Sequence, residues 1–310
     1  MKLIKETSIN FMGQTRIGYL ISGVLILAGL ISLVMQGGPK RSIEFTGGTI
    51  VAVQFQEEVD IEAVRNALSH VVIDGKTYDF SNQEIKHFGG LETVSARLPV
   101  IDETHEDFAQ GIVDHLYRSF PDKVPDDKTI FLLSIEKVGP KIGAELGADA
   151  VQAILTALVL ILVYISIRFQ FKFALGAIAA LTHDVTITLG IFSMLNLEIS
   201  LSVIAAFLTI VGYSLNDTIV IFDRIRENLK SHKRDKYEDV VNMSINESLS
   251  RTVITSLTTF FVVFVLWIFG GEVIHNFAFA MIIGVVVGTY SSIYVASPIV
   301  VQLHNSQDQK

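Results

Sequence analysis

In the run Leu201 to Asn228, reading LSVIAAFLTIVGYSLNDTIVIFDRIREN, Asn216 and Asp217 interrupt an apolar stretch long enough to cross a bilayer. A carboxyl group at that depth costs about 2.5–3.5 kcal/mol on insertion scales, so an acid kept there marks a proton or ion pathway. At 1.5 Å per residue, Asp217 lies about 9 Å from the charged end that Asp223, Arg224 and Arg226 announce. Ser214 and Tyr213 share its helical face, and Thr218 flanks it. The bland alternative is a carboxylate that snorkels to the near interface, for which an Asp side chain is short.

Other polar residues fall in apolar runs. Arg251 opens one, and Thr255, Thr258 and Thr259 continue its face. Two apolar helices adjacent in sequence run antiparallel, which directs Arg251 towards Asp217. A cation beside an acid favours the charged form, and protonation releases the pair, giving a two-state element driven by a proton. Alone, Arg251 also fits an interfacial anchor. His183-Asp184 sits in mid-run with Thr182, Thr186 and Thr188; it reads either as a pair that titrates or as one that fixes helix packing by hydrogen bonds. Glu272 and His275 read as interfacial. Ala280, Gly284, Gly288 and Ser292, followed by Ala296, recur at i+4 as a small-residue stripe for close helix contact, with the partner undefined.

Six apolar runs must position these groups: 17–36, 149–167, 173–193, 200–222, 252–269 and 273–300. Residues 1–16 form a polar N-terminal segment, with Ile4, Ile9, Phe11 and Met12 suited to a short interfacial helix. The run after Arg16 is longer than a signal-peptide core and lacks a small-residue cleavage site, so it is read as a retained span. Residues 223–251 read as a basic loop and 301–310 as a tail. Arg and Lys concentrate before the first span, at Arg168 and Lys172, and across 223–251, while the turns 194–199 and 270–272 carry none. That bias places both termini in the cytoplasm and 37–148 on the far side.

Within 37–148 the pattern changes. Strands are expected at 43–55, 71–73, 84–88, 93–100 and 130–138, separated by turns such as Asp74-Gly75 and Gly89-Gly90. Amphipathic helices are expected at 60–68 and 106–120. The order β-α-β-β-β-α-β fits an α+β, ferredoxin-like split βαβ sandwich with an extra strand. Phe45-Thr46-Gly47-Gly48 reads as a bulge in the first strand that lets another backbone approach. Gly143 and Gly147 read as a linker to the second span.

Bulk properties agree. The mean hydropathy is +0.49, too apolar for a typical soluble domain. The 310 residues carry a formal net charge of −8, which argues against nucleic-acid binding. Cysteine is absent, so there is no disulfide or thiol chemistry. No phosphate-binding loop, dinucleotide fingerprint or zinc-ligand spacing occurs. Asn242 and Asn246 match a glycosylation pattern but are expected on the cytoplasmic side.

Several motifs together, GYSLNDTIVIFDRIREN at 212–228, EFTGG at 44–48, VGPKIGAEL at 138–146, LTHDVTITLGIF at 181–192 and SRTVITSLTT at 250–259, resemble the SecD/SecF family of protein-export membrane proteins in the RND superfamily. The resemblance runs through nearly the whole chain; Glu44 departs from the family's usual Asp. It implies half of an RND-type bundle, with a periplasmic domain between the first two spans. It further implies an inner-membrane transport subunit rather than an enzyme, paired with SecD and associated with SecYEG, YajC, YidC and an unfolded preprotein. Protons are the coupling ion, with no cofactor or metal. The family's proton-pathway acid then falls on Asp217 and its basic partner on Arg251, with Asp184, Asn216, Ser214 and Thr255 nearby. Phe45, Gly47 and Gly48 become the base motif of the outer domain. A small-molecule RND exporter is disfavoured by length. An intramembrane aspartyl protease using Asp184 and Asp217 lacks the GxGD pattern, and a passive scaffold would tolerate neutral residues at Asp217 and Arg251.

Overall fold

The computed structural model describes residues 7–73, 75–100 and 108–308. Expectations resting on Lys2, Ile4, Lys5, Asp74, Glu106, Asp107 and the last two residues lie outside them. The chain divides into two compact units, residues 41–149 and the remainder, with the boundary inside a long helix.

In chain order, α1 is Thr15–Met35 and α2 a single turn at Ile43–Thr46. Then come β1 (Gly48–Gln54), α3 (Ile61–Ala67), β2 (Val71–Ile73), β3 (Lys76–Tyr78), β4 (Ile85–His87) and β5 (Thr93–Leu98). They are followed by α4 (Phe108–Ser119), α5 (Lys128–Phe131) and β6 (Leu132–Val138). The remaining helices are α6 (Pro140–Arg168), α7 (Phe171–Met194), α8 (Leu201–Ser231), α9 (Tyr237–Phe269), α10 (Glu272–Ser291) and α11 (Ser297–Asp308).

The unit 41–149 is an antiparallel sheet in the order β4-β5-β1-β6, with β2-β3 as a separate hairpin. That order is the split βαβ arrangement expected from the sequence. The core forms where inward positions of β1 and β5 meet α3 and α4: Val51 lies opposite Ala96 and Val53 opposite Val94. Val64, Leu68, Ile112, Val113 and Leu116 close over them, each 1% exposed or less. Asp60 caps α3 by accepting the Glu62 amide at 3.2 Å, satisfying one free donor of the first turn.

The first strand differs from expectation. Residues 43–46 are a helical turn, and β1 begins only at Gly48. Gly47 (φ +73°) and Gly48 (φ +134°) adopt backbone that other residues resist, so the chain reverses there rather than bulging. Contact is also close: a Cβ on Gly47 would stand 3.0 Å from Pro140 Cα, and one on Gly48 2.8 Å from the Leu98 carbonyl. Gly143 comes equally near the Phe45 backbone. The expected linker around Gly143 and Gly147 is instead the first part of α6, because those glycines permit close approach rather than flexibility.

Among the described residues, six helices are long and apolar enough to span a membrane: 12–35, 140–168, 171–194, 201–231, 237–269 and 272–306. The expected basic loop at 223–251 is mostly helix; only residues 232–236 separate α8 from α9. Its charged residues are compatible with helical continuation, since surface pairs such as Arg224–Glu227 at i+3 stabilise it. The last span contains a π-helical turn at Ser292–Ala296, where Ser297 donates to the Ser292 carbonyl at 2.8 Å. Pro298 has no amide to offer the carbonyl of Tyr294, which explains a break there.

α7 is the central helix, packed by α1, α8 and α10. α1 crosses it where Gly29 meets Gly190; a Cβ on Gly29 would lie 2.7 Å from Gly190 Cα. The N-terminal segment enters across α9, whose Asn242 and Asn246 side chains accept the Phe11 amide at 2.8 Å and the Ile9 amide at 2.9 Å. Those asparagines therefore anchor backbone. Replacing Gly190 with Leu should destabilise the protein by about 1–3 kcal/mol, the usual cost of overpacking. Thermal unfolding in detergent would check this, with Gly23→Ala, where a Cβ meets no neighbour, as the neutral comparison.

Candidate functional site

Asp217 is 3% exposed, on the face of α8 that packs against α9 and α10. Its Oδ2 accepts the Ser256 hydroxyl at 3.3 Å. Ser256 lies 2.6 Å from the Thr289 hydroxyl, which itself donates to the Val285 carbonyl at 2.7 Å. With the Thr289 proton on Val285, the short contact draws the Ser256 proton towards Thr289. The one hydrogen bond to Asp217 within 3.5 Å among the described residues is thus long and contested, with Thr255 and Arg251 the other polar groups near the carboxyl, where a buried carboxylate normally takes several short donors.

Arg251 is exposed at the side of α9 and forms no ion pair with a carboxylate among the described residues. Thr255 donates back to its own helix, to the carbonyls of Arg251 (3.0 Å) and Thr252 (2.9 Å). Thr258 and Asn216 are exposed. Arg251 and Thr255, the start of the face expected from the sequence, nevertheless stand close enough to Asp217 to act on its carboxyl. The inward track is Ser244, Ser248, Thr252 and Ser256, all 8% exposed or less. Its i+4 spacing is present in the sequence, but each residue is small and uncharged, a weaker signal than the neighbouring arginine. Arg251 and Thr252 lie about 100° apart on a helix, so Thr252 is buried while Arg251 stays exposed at the side of the helix.

Asp184 is the better-supplied acid. It is fully buried on α7, and its Oδ2 accepts Ser214 of α8 at 2.6 Å and Ser291 of α10 at 2.9 Å. Its Oδ1 lies 2.8 Å from His183 Nδ1. Ser214, expected beside Asp217, is thus committed to Asp184. Thr218 instead reaches Ser292 at 3.3 Å.

The small-residue stripe faces α8 of the same chain. A Cβ on Gly284 would stand 2.2 Å from Ile210 Cγ1, and one on Gly288 2.9 Å from Ser214 Cβ. Ala280 and Ser292 are fully buried along the same line. Small residues let α10 approach closely enough for Ser291 and Thr289 to reach both acids' networks. Phe45, Gly47 and Gly48 lie in the other unit and belong to its turn before β1. No group of three or more metal-ligating side chains occurs among the described residues.

Six apolar spans with buried acids at their centre, and a small α+β domain inserted after the first, define a polytopic membrane protein. The profile described as protein export membrane protein SecD/SecF, C-terminal, matches residues 123–306. A Rhodothermus marinus protein named protein translocase subunit SecF is 44% identical over 309 residues, covering 98% of this chain and 96% of the relative. A Haemophilus influenzae protein of the same name is 38% identical, covering 93% of this chain and 83% of the relative. The crystal structure of SecDF, a translocon-associated membrane protein from Thermus thermophilus, aligns with TM-score 0.82 at 39% identity over 97% of this chain. This chain spans only 39% of that SecDF chain. The chain belongs to the SecD/SecF family.

The donor count at Asp217 has a measurable consequence. Ser256→Ala should destabilise the protein more when Asp217 is present than in an Asp217→Asn background. A double-mutant cycle read by reversible unfolding should give a coupling of about 1 kcal/mol.

Proposed function

We propose that this chain is the SecF-type subunit of the Sec preprotein translocase and that it couples inward proton flow to late steps of export. It acts with SecD and, through it, with SecYEG, YajC and YidC, on an unfolded preprotein. It resides in the bacterial inner membrane, with both termini cytoplasmic and residues 37–148 periplasmic.

The observation that supports this reading is Asp217 itself: 3% exposed, inside a spanning helix, and held by one 3.3 Å donor. A group so placed gains from a proton. When protonated it needs no cation. When ionised it attracts Arg251, which stands on the neighbouring helix beyond ion-pair distance but near enough for its charge to act on the carboxyl. The two states differ in how α8 and α9 pack, and that difference is the mechanical output. The energies are commensurate. Moving one charge through 100 mV supplies about 2.3 kcal/mol, close to the about 2.5–3.5 kcal/mol cost of an acid at membrane depth. A single proton per step is therefore able to bias the packing without locking it.

The relatives' names carry the export assignment, and the insertion of a folded outer unit between the first two spans fits a subunit that works on a substrate beyond the membrane. Asp217→Asn, reconstituted with the partner subunits in vesicles, should lose at least about tenfold of proton-driven preprotein release, the loss of one essential proton-transfer group. Binding of the partner subunits should persist. Full release by this variant would remove Asp217 from the mechanism. Arg251→Lys should retain part of the activity and Arg251→Leu almost none.

A further inference from the structure

We propose that His183 and Asp184 hold one shared proton as a permanent, charge-neutral clasp that positions α1, α8 and α10 around α7, and that this proton does not take part in coupling. The Tyr290 hydroxyl donates to the Gly18 carbonyl, which has no proton to return. The Ser22 hydroxyl lies 3.2 Å from Tyr290, so that contact must use the Ser22 proton. Ser22 then accepts from His183 Nε2, 2.8 Å away, which fixes Nε2 as protonated. On the other side, Ser214 and Ser291 donate to Asp184 Oδ2, the Ser291 hydroxyl lying closer to it (2.9 Å) than to its other acceptor, the Gly288 carbonyl (3.2 Å). One contact remains, Nδ1 to Oδ1 at 2.8 Å, and it holds one proton.

Both placements of that proton, imidazolium with carboxylate or imidazole with carboxylic acid, are neutral overall. Removing it sets two acceptors face to face in a site that is 0% exposed at Asp184 and 7% at His183. Adding another sets two donors face to face. Either change leaves an unpaired buried group. The file is also a poor proton wire. From His183 it runs through Ser22 and Tyr290 and ends on the Gly18 backbone carbonyl, which cannot pass a proton on, and on the other side Ser214 and Ser291 both donate into Asp184. The ionisable groups bonded within it are His183, Asp184 and the Tyr290 phenol; Asp217, one turn along α8, bonds Ser256 instead. What the clasp does is mechanical. It ties Ser22 of α1, Ser214 of α8 and both Tyr290 and Ser291 of α10 to adjacent residues of α7, and so sets the position of α8 from which Asp217 projects.

The test uses an isostere. Asp184→Asn supplies an amide donor to a neutral His183 and a carbonyl for Ser214 and Ser291, which preserves these contacts and the neutrality while adding one amide hydrogen without an acceptor. In the full chain reconstituted with its partners, proton-driven release should stay within about twofold of the parent, with the same pH profile. Asp184→Leu, which orphans both serines and the imidazole, should lose about tenfold or more. A folded Asp184→Asn protein as inactive as Asp217→Asn would overturn the proposal, because it would mean that the Asp184 proton must leave. If Asp184→Leu fails to fold, nitrogen-15 spectra of His183 in the intact protein decide. Nε2 should be protonated and the pattern identical at the acidic and alkaline ends of the activity profile. A change of protonation between them refutes the clasp. That readout holds whether or not the export reading does.

Discussion

The structure depends on one constraint: a carboxyl group surrounded by apolar side chains must find hydrogen-bond donors, take up a proton, or meet a cation. The bundle meets the constraint differently at two places on neighbouring helices. Asp184 is given three partners from α7, α8 and α10. Asp217 is given one hydrogen bond, longer and shared with Thr289, with Thr255 and Arg251 near it. The first acid is therefore bound into the scaffold and the second is left dependent on what arrives.

The remaining packing serves this contrast. Gly284 and Gly288 bring α10 within van der Waals contact of Ile210 and Ser214. That closeness lets serine and threonine, whose side chains are short, reach across helices. Larger residues at either glycine would push the hydroxyls out of range. Gly29 and Gly190 do the same for α1 and α7, which brings Ser22 to His183. Small residues and hydroxyls are thus two halves of one device. The outward faces have no such demands, and α6 in particular leaves Leu155, Val159 and Leu160 exposed, as lipid or another apolar helix requires.

Much of this was legible in advance. Apolar length alone marked six spans, because satisfying a backbone in hydrocarbon demands about 20 helical residues. Alternation and turn residues marked the inserted sandwich, whose sheet order follows from ordinary βαβ connections. The errors fell where local signals were ambiguous. Charge across 223–251 suggested a loop, yet Arg and Glu are good helix formers and the helices simply continue into water. The glycine pair at 47–48 suggested a bulge, because sequence does not reveal whether a glycine is there for its torsion angles or its contacts; here both apply.

The sequence by itself determined the class of fold, the number of spans, and the presence of two acids where acids are expensive, since these depend on composition and spacing along the chain. Only the tertiary structure decided which acid is fully bonded and which is not. Ser214 lies one turn from Asp217 but bonds Asp184, and Ser256, a residue the arginine-centred face did not include, makes the hydrogen bond to the Asp217 carboxyl beside Thr255. Those choices turn on the rotation of each helix about its own axis. That angle is set by close packing against neighbours distant in the chain, and no local pattern encodes it.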